Sequence, residues 1–251
     1  MSEILFEHAL VVGASSGIGE ALARRLAAGG ARVALVARRE DELRRIMDEI
    51  NNAAGSERAI AVAHDVRAID EAPDLVQEIA RRLGGLDLAV YAAGAMPRVA
   101  PDEFDTAKDR EMLEVNLLGA VAWLNPIADR MARLGRGTIV GIGSVAGDRG
   151  RAPNPVYCTS KAGLHAYLEA LRNRLARLGV KVVTVKPGFV DTAMTRGKEG
   201  LFWLISADRA AEIILKKANR GAVTAYVPAR WRLVMTAIRS IPSFIFTRLG
   251  I

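Results

Sequence analysis

The chain has 251 residues, 51% hydrophobic and 25% charged, with a net charge of +7. This is the apolar share of a globular core, and it excludes the disordered, collagen-like and repetitive classes. A single cysteine, Cys158, excludes an intrachain disulfide, and no uncharged apolar run reaches about 18 residues, so no membrane-spanning helix is expected.

Short apolar runs then alternate with amphipathic stretches. Residues 8–13 (HALVVG) read as a strand and 17–30 as a helix closed by glycine. A strand at 32–38 is followed by a helix at 40–55, a strand at 58–66 and a helix from about Pro73 to Gly85. A strand over 86–94 leads into a long helical region, 103–135, expected to bend at Pro126. A strand at 137–144, a helix at 155–179 and a strand at 180–188 come next. The helix at 206–221 has Ser206 or Asp208 near its N-cap, and 223–228 is a last short strand.

The strands are continuous apolar runs, as expected when helices cover both sheet faces. Strict β-α alternation predicts a single α/β domain with a doubly wound parallel sheet. The domain is expected over residues 1–228, with a substrate lid at about 190–206, and 229–251 as a basic amphipathic extension of it. Ligands of such sheets bind beyond the carboxyl ends of the strands.

The stretch GASSGIGE sets Gly13, Gly17 and Gly19 between the first strand and the first helix. Glycines permit a tight turn, and the helix N-terminus offers free N–H groups and a positive dipole end to a pyrophosphate. A plain turn is the alternative for glycines alone. NAD sites carry an acidic residue about 20 positions after such a loop, to hold the ribose 2′-hydroxyl. Here the second strand ends in Ala37, Arg38 and Arg39. A carboxylate would repel a 2′-phosphate, whereas guanidinium groups fork onto it. The expected cofactor is NADP(H), with Arg38 as main contact and Arg39 and Ser15 assisting. The alternative is a pair of solvated arginines opening a helix.

In VYCTSKAG, Tyr157 and Lys161 stand at i and i+4, on one helix face. A free phenol has a pKa of about 10, and a nearby ammonium is expected to lower it toward the range useful for acid–base catalysis. Ser144 ends a strand, from where its hydroxyl can donate to a substrate oxygen. Asn116 has poor helix propensity inside a long helix, and a local irregularity there would free a carbonyl to bind water. Cys158 reads as a small buried filler. His8, His64 and His165 have no spacing that suggests a metal site, and none is expected. His165 continues the Tyr157–Lys161 face as helix packing, and Asp191 and Arg196 lie where a loop would cover substrate.

Taken in order, GASSGIG, HDV (64–66), AAG (92–94), NLLG (116–119), GSVAG (143–147), YCTSK (157–161) and PGFVDT (187–192) resemble the short-chain dehydrogenase/reductase family over about residues 8–228. The resemblance implies a Rossmann fold with strand order 3-2-1-4-5-6-7 and a homodimer or homotetramer built on the long fourth and fifth helices. It implies hydride transfer between a nicotinamide and a carbonyl or alcohol. Tyr157 would be the acid/base, Lys161 its activator, Ser144 the carbonyl-polarising hydroxyl and Asn116 the anchor of a water relay. Asp65 would meet adenine, Gly94 would pack beside the adenosine ribose, and Val190 and Thr192 would hold the carboxamide. Ser16, Ile18, Val66, Ala93, Pro187 and Gly188 complete the cofactor site that the resemblance implies. Two departures stand out. Val12 replaces a threonine, and Tyr91-Ala92 replaces two asparagines, so altered packing beside the cofactor is expected.

From Leu201 onward, eight basic residues face only Asp208 and Glu212, a net +6 that leaves the preceding part near neutral. In the tail, Arg232, Thr236, Arg239, Ser243 and Thr247 form one polar helical stripe among apolar residues, with Pro242 expected to kink or split it. Contact with a membrane surface, an oligomer interface, and a flap packed near the substrate cleft all fit that pattern. With LFWLIS at 201–206, the tail points to an apolar substrate such as a lipid or a lipid-linked sugar ketone; nucleic acid is not expected. The stretch MSEILFEHALVVGASSG has no basic and apolar leader pattern, and a cytoplasmic setting, peripheral to a membrane if the tail binds one, is expected. Two other readings stay open: a non-catalytic NADP(H)-binding sensor or scaffold docking through its tail, and a tail that anchors a lipid-modifying assembly.

Overall fold

The apolar runs pair side by side into a parallel sheet in the computed structural model, which describes residues 5–100, 102–197 and 199–249. The first four residues of the predicted domain and the last two of the predicted tail lie outside the described residues.

In chain order the elements begin with β1 (His8–Val12), α1 (Gly17–Ala28), β2 (Arg32–Ala37), α2 (Glu40–Ala54) and β3 (Ala59–Ala63). α3 (Ala72–Leu83), β4 (Leu88–Tyr91), α4 (Thr106–Leu113), a π-helical turn (Glu114–Leu118) and α5 (Gly119–Leu134) follow. Then come β5 (Gly137–Ile142), α6 (Pro155–Leu175), β6 (Val180–Pro187), the two-residue strands β7 (Val190–Asp191) and β8 (Ile205–Ser206), and α7 (Ala207–Asn219). β9 (Thr224–Val227), α8 (Trp231–Ser240) and α9 (Ser243–Phe246) end the described chain. Among the described residues the main sheet has the order β3-β2-β1-β4-β5-β6-β9, with every pairing parallel. This is the expected order, except that β7 and β8 form a separate small pair in the lid region, so the seventh sheet strand is the ninth in the chain.

Alternate residues of the strands serve opposite faces. Val11, Val33 and Leu35 pack with Leu22, Leu43 and Ile214 from α1, α2 and α7. Leu10, Val12 and Val36 pack with Ile79, Trp123 and Leu168 from α3, α5 and α6. Each fully buried leucine contributes roughly 1.5–3 kcal/mol, which is why runs apolar at every position settle between two helical layers. Polar caps set helix starts: the Asp105 carboxylate accepts from the Ala107 and Lys108 N–H groups, and the Ser206 hydroxyl accepts from the Arg209 N–H.

The long helical region carries the irregularity expected at Asn116. α5 runs through Pro126 without a break, and the irregularity lies at the π-turn around Asn116. Such a turn frees a backbone carbonyl. The buried Tyr91 hydroxyl donates to the Val115 carbonyl at 2.7 Å. A Cβ at position 119 would sit 2.8 Å from that hydroxyl, so Gly119 makes room for it. Pro242 separates α8 from α9, as expected.

Candidate active site

The turn after β1 is shaped by close backbone approach. Gly13 has φ +92°, and a Cβ there would lie 2.4 Å from the Ala93 nitrogen, while a Cβ on Gly19 would lie 2.1 Å from the Gly13 carbonyl oxygen. Neither position admits a side chain. Val12 and Ala92 meet through a main-chain hydrogen bond, Ala92 N–H to the Val12 carbonyl at 2.7 Å. The two departures at Val12 and Tyr91-Ala92 therefore leave the first and fourth strands braced by backbone and apolar packing. Arg39 reaches back over the loop: one Nη2 donates to the Ser15 hydroxyl (2.9 Å), the Ser16 hydroxyl (2.8 Å) and the Ser15 carbonyl (3.2 Å).

A cleft of about 770 Å³ runs from this loop across the carboxyl edge of the sheet. Its walls hold Gly13, Ser15, Ser16, Gly17, Ile18, Gly19, Arg38, Arg39, Val66, Ala93, Gly94, Ser144, Tyr157, Lys161, Pro187, Gly188, Val190 and Thr192 from the sequence-predicted set. Asp65 and Asn116 do not line it. The Asp65 carboxylate is gripped by the Arg67 guanidinium, which holds its pKa below the usual carboxylate range. His64 faces the cleft instead, buried and edge-on to Trp123 at 5.3 Å. Asp191 and Arg196 are exposed and do not line the cleft.

Asn116 is fully buried, and its side chain is fully used. Its Nδ2 donates to the Ala95 carbonyl (2.9 Å) and the Ser160 hydroxyl (3.0 Å), and its Oδ1 accepts from the Ala95 N–H (2.7 Å). Asn116 thus pins Ala95, the residue after the AAG segment, to α6 while sitting in the irregular turn expected of it.

Tyr157 and Lys161 open α6 and face the same cleft. The Ser144 hydroxyl is the hydrogen-bonding neighbour of the Tyr157 hydroxyl. The Lys161 amine donates to the Ile142 carbonyl at 3.1 Å and lies 5.8 Å from the centre of the Tyr157 ring. Burial works against the acidification of the phenol expected from the sequence. Burial raises the Tyr157 pKa above its ordinary value, only partly opposed by Ser144, and burial lowers that of Lys161 to about 8. The physical reason is that removing water penalises both charged forms more than this separation rewards them. Cys158 is buried with Met112 and Ala146, as expected of a filler.

Sequence reasoning missed a polar cluster behind Ser144. The Ser144 N–H donates to His165 Nε2 at 3.4 Å, and His165 Nδ1 lies 3.7 Å from Asp148. Asp148 also accepts from Lys186 and from the Tyr226 hydroxyl (2.6 Å). Burial and the neighbouring Lys186 cation push the His165 pKa down to about 3, against the pull of Asp148. The i+4 step from Lys161 to His165 was the available signal, but helix packing was the expected role. The lid and tail also meet: Phe189, Phe202, Trp203 and Trp231 form an aromatic cluster with ring centres 5.1–5.7 Å apart.

A family model described as short chain dehydrogenase matches residues 7–200. An uncharacterized oxidoreductase of Myxococcus xanthus is 33% identical over 236 residues, covering 94% of this chain and 92% of its own length. One from Staphylococcus epidermidis is 33% identical over 199 residues, covering 79% of this chain and 84% of its own length. Among solved structures, a variant of actinorhodin polyketide ketoreductase with NADPH is similar at 32% identity and TM-score 0.78, over 90% of this chain and 96% of the other. A short-chain alcohol dehydrogenase from Sinorhizobium meliloti, so described on likeness, is similar at 28% identity and TM-score 0.79, over 88% and 94%.

Proposed function

The chain belongs to the short chain dehydrogenase family, and we propose that it is an NADP(H)-dependent oxidoreductase that reduces an apolar or lipid-linked ketone to a secondary alcohol. The observation that carries the reading is the single cleft that joins Ser144, Tyr157 and Lys161 to the glycine turn and Arg39. The glycine cradle fits a dinucleotide, because no Cβ intrudes where a pyrophosphate would approach the backbone. Arg38 and Arg39, with Ser15, would hold a 2′-phosphate. Val190 and Thr192 would hold the nicotinamide carboxamide, and the bound nicotinamide supplies the hydride.

The chain's own residues supply the rest. The Ser144 hydroxyl donates a hydrogen bond to the carbonyl oxygen as charge develops there. The Tyr157 hydroxyl gives its proton to that oxygen, so hydride on carbon and proton on oxygen make the alcohol. Burial raises the Tyr157 pKa above its ordinary value, so the hydroxyl is protonated at neutral pH and available as an acid. Lys161 keeps its ammonium below about pH 8, beside Gly94, where a ribose would lie. Asn116, held in the π-turn, anchors the path by which Tyr157 regains a proton.

An apolar substrate is supported by the lid, where Phe202 (51%), Trp203 (38%) and Leu204 (45%) stay exposed. A membrane surface would suit the exposed Leu233, Phe244 and Ile245 beside Arg232, although no described helix is long and apolar enough to cross a membrane. The test is NADPH and NADH oxidation with a panel of β-keto ester, aryl ketone and long-chain ketone substrates, with Tyr157→Phe as control. Turnover with NADPH, abolished in the variant, is expected; equal rates in both proteins would defeat the reading.

A further inference from the structure

The tail is seated against the back of the catalytic serine loop. Trp231 is 4% exposed, and a Cβ on Gly188 would lie 1.8 Å from its indole nitrogen. Trp231 and Met235 bury against Val145, the residue that follows Ser144. Four residues further on, Arg149 holds the far end of α8. Its Nη1 donates to the carbonyls of Ile238 (2.7 Å), Arg239 (3.3 Å) and Ile241 (2.6 Å). These are the acceptors that a helix C-terminus leaves unsatisfied. The same guanidinium stands 4.0 Å over the buried Phe246 ring, a cation–π contact that fixes α9 as well.

Between Val145 and Arg149 the loop is a single 3-10 turn, too short to hold itself. Its supports come from outside. α6 offers His165 to the Ser144 N–H, β6 and β9 offer Lys186 and Tyr226 to Asp148, and the tail takes Val145 and Arg149. The Asp148 side chain is 1% exposed, so a buried carboxylate is held by a cation and a hydroxyl at the centre of this support. Such a network is stable only while every member stays in place.

We propose that the tail from Trp231 to Phe246 is a positioning element for Ser144, acting through Val145, Arg149 and the Asp148–His165 pair. This rests on the reading of Ser144 as the hydroxyl that polarises the substrate carbonyl. Docking of the tail sets turnover, while the glycine turn after β1, two strands from β5 in the sheet, is indifferent to it.

The experiment perturbs the tail and reads the loop. Phe246→Ala removes the ring under Arg149, Met235→Asp places a carboxylate in the buried contact with Val145, and Phe246→Tyr keeps the aromatic face. Amide hydrogen exchange of the full chain is measured with NADPH affinity and the kinetics of carbonyl reduction. In Phe246→Ala and Met235→Asp, exchange rises at residues 144–149 as well as in the tail. kcat falls about tenfold or more, as expected of a misplaced catalytic group, with NADPH affinity within about twofold, and Phe246→Tyr restores both readouts. If exchange rises in the tail alone, or if kcat holds while the tail is freed, the proposal is overturned. If Met235→Asp does not fold, Phe246→Ala alone decides. Should the unaltered protein reduce no carbonyl, the functional reading fails, and loop exchange still decides whether the tail positions Ser144.

Discussion

Between β1 and β3 the cleft wall is built round a glycine turn, with Arg38 and Arg39 beside it. From β5 onward it carries Ser144, Tyr157 and Lys161. The first region approaches its ligand through Gly13 and Gly19, where hydrogen is the only substituent that fits, and its arginines pair at the surface with glutamates, as Arg45 does with Glu42 and Glu49. The second region buries Lys161 and Ser160 and holds Asp148 out of water. Backbone that contacts a ligand tolerates little change in shape but has no charge to tune. Buried ionisable groups have pKa values moved by their surroundings, and each depends on its neighbours for position. On the proposed reading, the phosphate end of the dinucleotide rests on the first region and proton transfer on the second.

Crossed substitutions should break that division most sharply. Tyr157→Phe is expected to lower reduction about 10³-fold while NADPH binding survives, because it removes the proton donor alone. Gly19→Val should do the converse: its side chain would meet the Gly13 carbonyl, destabilise the fold by about 1–3 kcal/mol and abolish NADPH binding. Calorimetric binding beside stopped-flow reduction separates the two. Loss of both properties in both variants would remove the distinction.

Arg39→Ala comes next in size. It releases Ser15 and Ser16 and removes a guanidinium from the cleft wall. NADPH affinity should fall about tenfold, the worth of one charge-assisted hydrogen bond, with NADH affinity almost unchanged. Equal losses for both cofactors would show that Arg39 only shapes the loop.

A pH experiment sharpens the other side. His165 is neutral when folded, with a pKa near 3, and takes up a proton at about 6.5 once unfolded. Its contribution to stability is therefore complete above about pH 6.5 and is lost as pH falls toward 3. His165→Gln should start less stable at pH 7, with a shallower decline in melting temperature on acidification. A parallel decline in both proteins would assign acid sensitivity to other groups. The smallest effect is expected at the surface, where Arg45→Ala should leave the melting temperature almost unmoved, since exposed ion pairs add little.

Much of the fold was open to reading in the chain itself. Apolar runs at every position require two covering layers, so β1 to β6 and β9 could be placed from hydropathy alone. Ordered glycines, Ser144 and the Tyr157–Lys161 step located the cleft, because these signals are local in sequence. The order of the seven strands followed from the family resemblance. Other features were not local. Tyr226 meets Asp148 across 78 positions, Arg149 meets Ile241 across 92, and Tyr91 meets Val115 across 24. No period or motif encodes such pairs; the meeting of loops at the sheet's edge decides them. The direction of the Tyr157 shift was likewise a tertiary matter, since spacing puts an ammonium on the same helix face but only burial determines how much water each group keeps.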